Sequence, residues 1–358
     1  MSVSSTSEPQ KILVLRLGSM GDIIHSLPAV SALRASFPSA MIGWAIEERW
    51  APLLSSPEAR FAARGEGKPL VDILHIVNTR AWRNAWLSGE TWREIKDTVT
   101  GLRAAQYDVA IDIQGAMKSA VLGRLARPRR RFGFAQPWEG AATMFYSHQV
   151  QPTGTHIADR NWSLATAAGA TARPEHLFPI PIDPVAEAWA DAKLRECGFK
   201  EFAIVNPGAG WGSKCWPAER FGEVAKRLAT NGIASVINAG PGEEELGKAV
   251  ENASGGAAMQ LSTTLSELIA LTRRATLFIG GDTGPLHLAV ALNTPSVALF
   301  GPTDPARNGP YGGRAVVVRS PQSVTTYKRS AAMEGGLSSI TAEEVLAAAG
   351  EILGKTIA

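Results

Sequence analysis

The stretch Gly280-Gly281-Asp282-Thr283-Gly284-Pro285-Leu286-His287 directly follows the apolar run Ala275-Thr276-Leu277-Phe278-Ile279. It reads as a buried strand that stops at a glycine pair and turns into a helix over residues 285–292. Such a turn leaves backbone N–H groups unpaired at the helix start, where the dipole adds partial positive charge. A phosphate or diphosphate is the natural occupant. Thr283, Gly284 and His287 fall on one face, because His287 lies four residues beyond Thr283 and three beyond Gly284. Taken alone, the stretch serves equally well as an ordinary capped helix with a histidine packed in the core.

Two further loops carry residues of the same kind. Asn206-Pro207-Gly208-Ala209-Gly210-Trp211-Gly212-Ser213-Lys214-Cys215-Trp216-Pro217 follows a short apolar run. Its small residues allow close backbone approach to a ligand, and Lys214 is a point charge suited to a diphosphate. Near the start of the chain, Lys11-Ile12-Leu13-Val14-Leu15-Arg16-Leu17 runs into Gly18-Ser19-Met20-Gly21-Asp22-Ile23-Ile24-His25-Ser26-Leu27-Pro28. This is not a dinucleotide fingerprint, because the third glycine is absent, and it lacks the Gly-Lys-Ser/Thr ending of a P-loop. It offers a carboxylate, Asp22, at a strand-to-helix junction. That group is either a plain helix cap or a general base able to take a hydroxyl proton. Pro28 requires the following helix to kink or to begin only near Ser26. Gly240-Pro241-Gly242-Glu243-Glu244-Glu245 could bind both hydroxyls of a ribose, or could be an acidic first turn.

The elements that position these residues alternate between strand and helix, which argues for parallel sheets covered by helices. In the first half strands are expected at residues 11–17, 41–46, 73–77, 108–113 and 131–134, and helices at 29–36, 91–105, 116–125 and 157–168. Four prolines between residues 174 and 184 mark a linker. The pattern restarts with strands at 202–205, 235–239, 259–261, 277–279 and 296–300. Helices are expected at 218–230, 243–252, 265–273 and 285–292, with a last amphipathic one at 341–353. The fold class is therefore α/β: two Rossmann-like, doubly wound domains, with ligand sites at the carboxyl ends of their strands and an interdomain cleft.

At 358 residues the chain suits two domains, and 45% hydrophobic with 19% charged residues is an ordinary globular composition. Its two cysteines, Cys197 and Cys215, form neither a disulfide framework nor a metal-ligand pattern. The polar, serine-rich start is no signal peptide, and no apolar run reaches the roughly 20 residues of a membrane span, which points to the cytoplasm. The net charge of +3 is unevenly shared: 20 basic against 15 acidic residues through Ile180, then 16 against 18. The run Arg127-Pro128-Arg129-Arg130-Arg131 and the segment Arg80-Ala81-Trp82-Arg83-Asn84-Ala85-Trp86 suit an anionic partner such as nucleic acid, a phosphorylated lipid or a membrane surface. For the arginine run alone, a solvated basic face is the ordinary account.

Taken in order, these segments resemble the ADP-heptose-dependent glycosyltransferases of lipopolysaccharide core synthesis. The matching pieces are the stretch from Ser19 to Pro28, Ile111-Asp112-Ile113-Gln114-Gly115 with Lys118-Ser119-Ala120, and Lys214-Cys215-Trp216-Pro217. The stretches from Gly281 to His287 and Phe300-Gly301-Pro302-Thr303-Asp304-Pro305 complete the set. The resemblance implies a GT-B fold and inverting transfer of L-glycero-D-manno-heptose from ADP-heptose to the Kdo of a Kdo–lipid A acceptor. A related branch acting on a heptose acceptor shares these motifs. ADP-heptose is a substrate, and no cofactor, metal or nucleic acid is implied. Asp22 matches the general base. Donor contacts fall at Ala209, Gly210, Lys214, Glu243, Thr264, Thr283, Gly284 and His287, with Asp282 supporting the turn and Glu244 an alternative to Glu243. Acceptor contacts fall at Ser19, Gly21, Arg80, Arg83 and Lys118. The expected organisation is a disordered tail (1–10), an acceptor-binding domain (11–175), a linker (176–184) and a donor-binding domain (185–335). A final segment (336–358) would pack back on the first domain. The expected molecule is a monomer, peripheral on the cytoplasmic face of the inner membrane.

Overall fold

The computed structural model describes residues 9–357; all of the expected N-terminal tail except Pro9 and Gln10 lies outside the described residues. The chain divides into two compact units, one ending at Ile182 and the other beginning at Asp183, inside the proline-rich stretch. The first unit holds strands β1 (Lys11–Leu15), β2 (Met41–Ile46), β3 (Ile73–Ile76), β4 (Val109–Asp112), β5 (Arg130–Phe134) and β6 (His148–Val150). The second holds β7 (Glu201–Asn206), β8 (Ile233–Ile237), β9 (Ala258–Gln260), β10 (Leu277–Gly281), β11 (Ser296–Phe300) and β12 (Ala315–Arg319).

Both sheets are parallel and have one strand order: β3-β2-β1-β4-β5-β6 in the first and β12-β11-β10-β7-β8-β9 in the second. In each, the chain builds outward from the first strand, then returns to its other side with the fourth. The order reverses between β1 and β4, and between β7 and β10. Loops leaving the carboxyl ends there diverge and open a crevice, the usual ligand position in such sheets. Register places Leu15 beside Asp112 in the first unit and Asn206 beside Gly280 in the second.

The central strands are apolar runs because both faces are covered by helices. The helix Ala218–Thr230 shows how: Phe221, Val224, Ala225 and Leu228 recur at helical spacing and are buried against Val205, Ile233 and Leu299. Pro28 falls at the second residue of a separate helix, Leu27–Ser36, after a short one at Met20–Ile24; the chain breaks the helix at His25 and Ser26.

The final helix, Ala342–Leu353, places Val345, Leu346 and Ala349 in the second unit's core with Val205, Val297 and Leu299. Its apolar stripe covers β11 and β12, and the Trp216 indole N–H donates to the Ile340 carbonyl at 3.0 Å just before it. Among the elements not expected are edge strands β6 and β12, and the helix Pro184–Cys197, capped by the Asp183 carboxylate and ended by Gly198 in a left-handed conformation.

One buried polar group ties the carboxyl end of β4 to that of β1. Asp112 accepts from the backbone N–H groups of Gln114 and Gly115 (3.0 and 3.1 Å) and from the hydroxyls of Ser119 and Tyr146 (3.0 and 2.8 Å). The turn it holds presents the Gln114 amide oxygen to the N–H of Leu17 at 2.8 Å. Burial outweighs these donors and pushes the Asp112 carboxyl up to about 6. The folded protein therefore binds a proton there that the unfolded chain has already lost, so stability falls as pH rises from about 4 to 6. Asp112→Asn should remove that loss, up to about 3 kcal/mol at 1.36 kcal/mol per pH unit. Urea midpoints of wild type and variant at pH 4.5 and 7 would show it as a variant whose advantage grows with pH.

Candidate active site

The first unit presents Asp22 on the short helix after β1. All three donors that reach its carboxylate bind one oxygen: Arg16 at 2.5 Å, the Ser19 hydroxyl at 2.9 Å and the Ser19 N–H at 3.3 Å all contact Oδ2. No hydrogen-bond donor among the described residues reaches Oδ1. The side chain is 42% exposed, while that of Arg16 is only 12% exposed. Arg16 is itself fixed by the Ile113 carbonyl at 3.3 Å, and Gln114 holds the backbone of Leu17. Asp22 is thus more than a helix cap: Ser19 occupies the cap position and Asp22 is oriented by a cation. Arg16 and Gln114 were not expected as site residues. Gly21 lies on the same helix turn.

Beside this loop a cavity of about 460 Å³ is lined by Glu47, Glu48, Arg49, Asn78, Arg80, Ala81 and Asn84. The Glu47 N–H donates to the Leu17 carbonyl at 3.0 Å, so the cavity adjoins the Asp22 loop. Glu47 is buried and meets Arg49 at 3.1 Å, the Thr79 hydroxyl at 2.7 Å and Lys118 at 3.8 Å. Of the expected acceptor residues, the structure brings Arg80 and Lys118 to this region. Arg83 is exposed on the same short helix, Thr79–Asn84, and does not line the cavity. Arg49 and Glu47 were missed; the Glu47-Glu48-Arg49 cluster at the end of β2 was their trace in the sequence.

In the second unit the loops after β7, β10 and β11 meet on one carboxylate. Asp282 is nearly buried and accepts from Lys214 at 2.5 Å, from the Thr303 hydroxyl at 2.7 Å and pairs with His287 Nε2 at 3.1 Å. Burial alone would raise its proton affinity, but the hydrogen bonds and charges of His287 and Lys214 prevail and hold it well below the usual carboxylate range. Lys214 also donates to the Asp282 carbonyl at 3.3 Å and stands over the Trp211 indole at 4.7 Å. Gly281 permits this, since a β-carbon there would lie 2.9 Å from the Lys214 carbonyl. Thr283 starts the helix Gly284–Ala291 without capping it through its own side chain, so that terminus keeps free N–H groups.

Asn206, buried at the end of β7, ties the neighbouring turns together. Its amide donates to the Gly208 carbonyl (3.0 Å) and the Thr283 hydroxyl (3.4 Å) and accepts from Asn238 (2.6 Å). Glu243 and Glu244 separate clearly. Glu243 folds inward, accepts from the Gly240 N–H at 2.8 Å, and its carboxylate fills the space a β-carbon on Gly208 would occupy. Glu244 is exposed in the helix first turn, with Gly242 as its donor. Ala209 and Gly210 line the same loop, half-buried and exposed respectively. Thr264 is the exposed N-cap of the helix Leu265–Arg274, in a reciprocal pair with Glu267. Asn206 and Thr303 were missed; a polar residue ending an apolar run marks both positions. Asp282→Ala should destabilise the protein by about 3–5 kcal/mol, because Lys214 loses its buried counter-charge. Urea unfolding at neutral pH measures this.

Comparison with known proteins bears on the family of the chain. The chain is 28% identical to lipopolysaccharide heptosyltransferase 1 of Escherichia coli (strain K12), over 92% of its own length and 100% of that protein's. It is 26% identical to lipopolysaccharide heptosyltransferase 3 of the same strain, over 93% and 95% respectively. The Escherichia coli heptosyltransferase WaaC, solved with ADP, superimposes with a TM-score of 0.77 at 27% identity, covering 96% of this chain and 99% of that one. The model of glycosyltransferase family 9 (heptosyltransferase) matches residues 96–335, two thirds of the chain, including the second unit's Lys214–Asp282 site. The chain belongs to that family: it is a glycosyltransferase with the GT-B fold.

Proposed function

We propose that this glycosyltransferase is a lipopolysaccharide heptosyltransferase of type I. It transfers L-glycero-D-manno-heptose from ADP-heptose to the Kdo of a Kdo–lipid A acceptor, with inversion and without a metal ion. The observation that carries the reading is the Lys214–Asp282–His287 cluster at the β7/β10 reversal, beside the uncapped terminus that Thr283 and Gly284 begin. ADP leaves as a diphosphate with developing negative charge. A cation already fixed at 2.5 Å from its counter-ion and a set of free N–H groups stabilise that charge without reorganising. Glu243, with Ala209, Gly210 and Thr264 on neighbouring loops, takes the ribose and adenine.

Asp22 acts as general base. Arg16 and Ser19 occupy Oδ2, and Oδ1 accepts the proton of the attacking acceptor hydroxyl. As that oxygen bonds to the anomeric carbon, the bond from the anomeric carbon to the diphosphate oxygen breaks on the opposite side. The acceptor is anionic, and Ser19, Gly21, Arg80, Arg83 and Lys118 stand where its carboxylates and phosphates are received. No helix among the described residues is long and apolar enough to cross a membrane. The enzyme acts as a peripheral monomer at the cytoplasmic face of an anionic inner membrane. Exposed Arg127 and Arg129, together with Trp86, Leu87 and Trp92, supply basic and aromatic contacts there.

The similar identities to types 1 and 3 make the acceptor the point to test. Incubation with ADP-heptose and Kdo–lipid A should yield a product one heptose heavier by mass spectrometry. Loss of the protein should leave a Kdo-only core, whereas accumulation of a one-heptose core would instead assign a heptose acceptor. Asp22→Ala should lower turnover by at least about 10²-fold while ADP-heptose affinity is retained. Wild-type turnover in that variant would remove Asp22 from the mechanism. Lys214→Ala should weaken ADP binding by about 1.5–3 kcal/mol, read by calorimetry.

A further inference from the structure

The cation that faces the donor phosphates is largely spent within the protein. Lys214 and Asp282 lie 2.5 Å apart and cancel as a pair, which leaves the helix terminus, and His287 when protonated, as the remaining positive elements of the cluster. A diphosphate carries at least two negative charges. Charge balance at this site therefore calls for a second cation that no carboxylate of the protein has claimed.

Residues 320–334 supply one. This strap leaves the end of β12 and crosses the carboxyl edge of the sheet. The Thr326 N–H donates to the Pro302 carbonyl beyond β11 at 2.7 Å, and the Ser213 N–H, in the loop after β7, donates to the Ser330 carbonyl at 3.1 Å. Arg319 holds the Thr325 hydroxyl at 2.7 Å, and Glu334 closes the strap by accepting from Ser323 and Val324. Gly212 makes the seat possible, because a β-carbon there would collide with the Ala331 carbonyl. The strap so fixed lays the Arg329 guanidinium over Trp211 at 5.5 Å, on the same indole that Lys214 contacts at 4.7 Å. Arg329 is exposed, and no carboxylate of the described residues forms an ion pair with it. The other acidic groups along the strap and the turn beneath it, Glu334 and Asp304, are engaged with backbone N–H groups.

We propose that Arg329 is the second phosphate-binding cation of the donor site, held ready by the 320–334 strap on the Trp211 platform. This rests on the reading of Lys214 and Asp282 as the donor-phosphate site. A guanidinium suits the role, since its planar fork stacks on an aromatic face while presenting paired donors to phosphate oxygens. Trp211 thus serves both cations, one paired to Asp282 and one left for the ligand.

The test is calorimetric titration of the full-length protein with ADP and, separately, with adenosine. Arg329→Ala should weaken ADP about tenfold and leave adenosine unchanged, as expected for loss of one exposed charged contact to phosphate. Arg329→Lys should recover part of the ADP affinity, and the salt dependence of ADP binding should become shallower in the alanine variant. ADP affinity unchanged in Arg329→Ala would overturn the proposal. So would equal losses for ADP and adenosine, which would mark a structural role of the strap. Lys214→Ala run alongside separates the two readings: if it too leaves ADP binding intact, the phosphate site itself is elsewhere. If only Arg329→Ala is silent, the second cation alone is wrong.

Discussion

The second unit's site depends on one buried carboxylate. Asp282 sits where an isolated charge would be costly, and it is tolerated because three loops send it partners: Lys214 from beyond β7, His287 from the helix after β10 and Thr303 from beyond β11. The carboxylate thereby joins the loops after β7, β10 and β11 at the carboxyl end of the sheet. The arrangement has two consequences. Lys214 is ordered before any ligand arrives, so binding does not bear the cost of immobilising a flexible side chain. Its charge is also largely neutralised, so on the proposed reading much of the work of attracting a diphosphate falls to groups outside the pair.

The first unit uses an aspartate at nearly the same place in its own sheet, with opposite electrostatics. Asp112 ends β4 and Asp282 follows β10, the fourth strand in each unit. Asp112 is surrounded by neutral donors, two hydroxyls and two backbone N–H groups, and its carboxyl is pushed upward. Asp282 is surrounded by cationic or ionisable donors and is held down. The tasks differ accordingly. Asp112 shapes a turn that aims Gln114 at the backbone of Leu17 and so steadies the loop carrying Asp22. Asp282 positions a charge. Two copies of one topology thus use the same strand end, once as a scaffold and once as an electrostatic anchor.

Much of this was legible in the sequence, because strand, glycine turn and helix follow one another in a local pattern and both sheets are built from such units. Asp22, Lys214, Thr283 and Glu243 stood out because each is a chemically capable side chain in a turn poor in bulk. Arg16, Gln114, Asn206, Thr303 and Arg329 did not. Their roles arise from pairings between loops far apart in the chain, such as Gln114 with Leu17 and Asn206 with Thr283. The final helix shows the same limit. Its period announces an apolar face but does not say that the face packs on β11 and β12. The edge strands were missed for a related reason: β6 is largely exposed and short, so neither alternation nor a long apolar run marks it.

The geometry at Asp22 bears on selectivity. A free carboxylate side chain offers two equivalent oxygens and rotates between them, so it accepts a proton from almost any direction. Here Arg16 and Ser19 bind one oxygen, and Arg16 is in turn fastened to the carbonyl after β4. The remaining oxygen has a defined direction, next to a cavity whose walls carry Asn78, Asn84, Arg49 and Arg80. A polyhydroxylated, anionic acceptor has several hydroxyls of similar reactivity. Selecting one requires that the anionic groups be pinned while a single oxygen of the base points at a single position. On the proposed reading, cations around the cavity and a base with one open oxygen meet both requirements, so the choice of hydroxyl would follow from how the two are spaced rather than from hydroxyl reactivity.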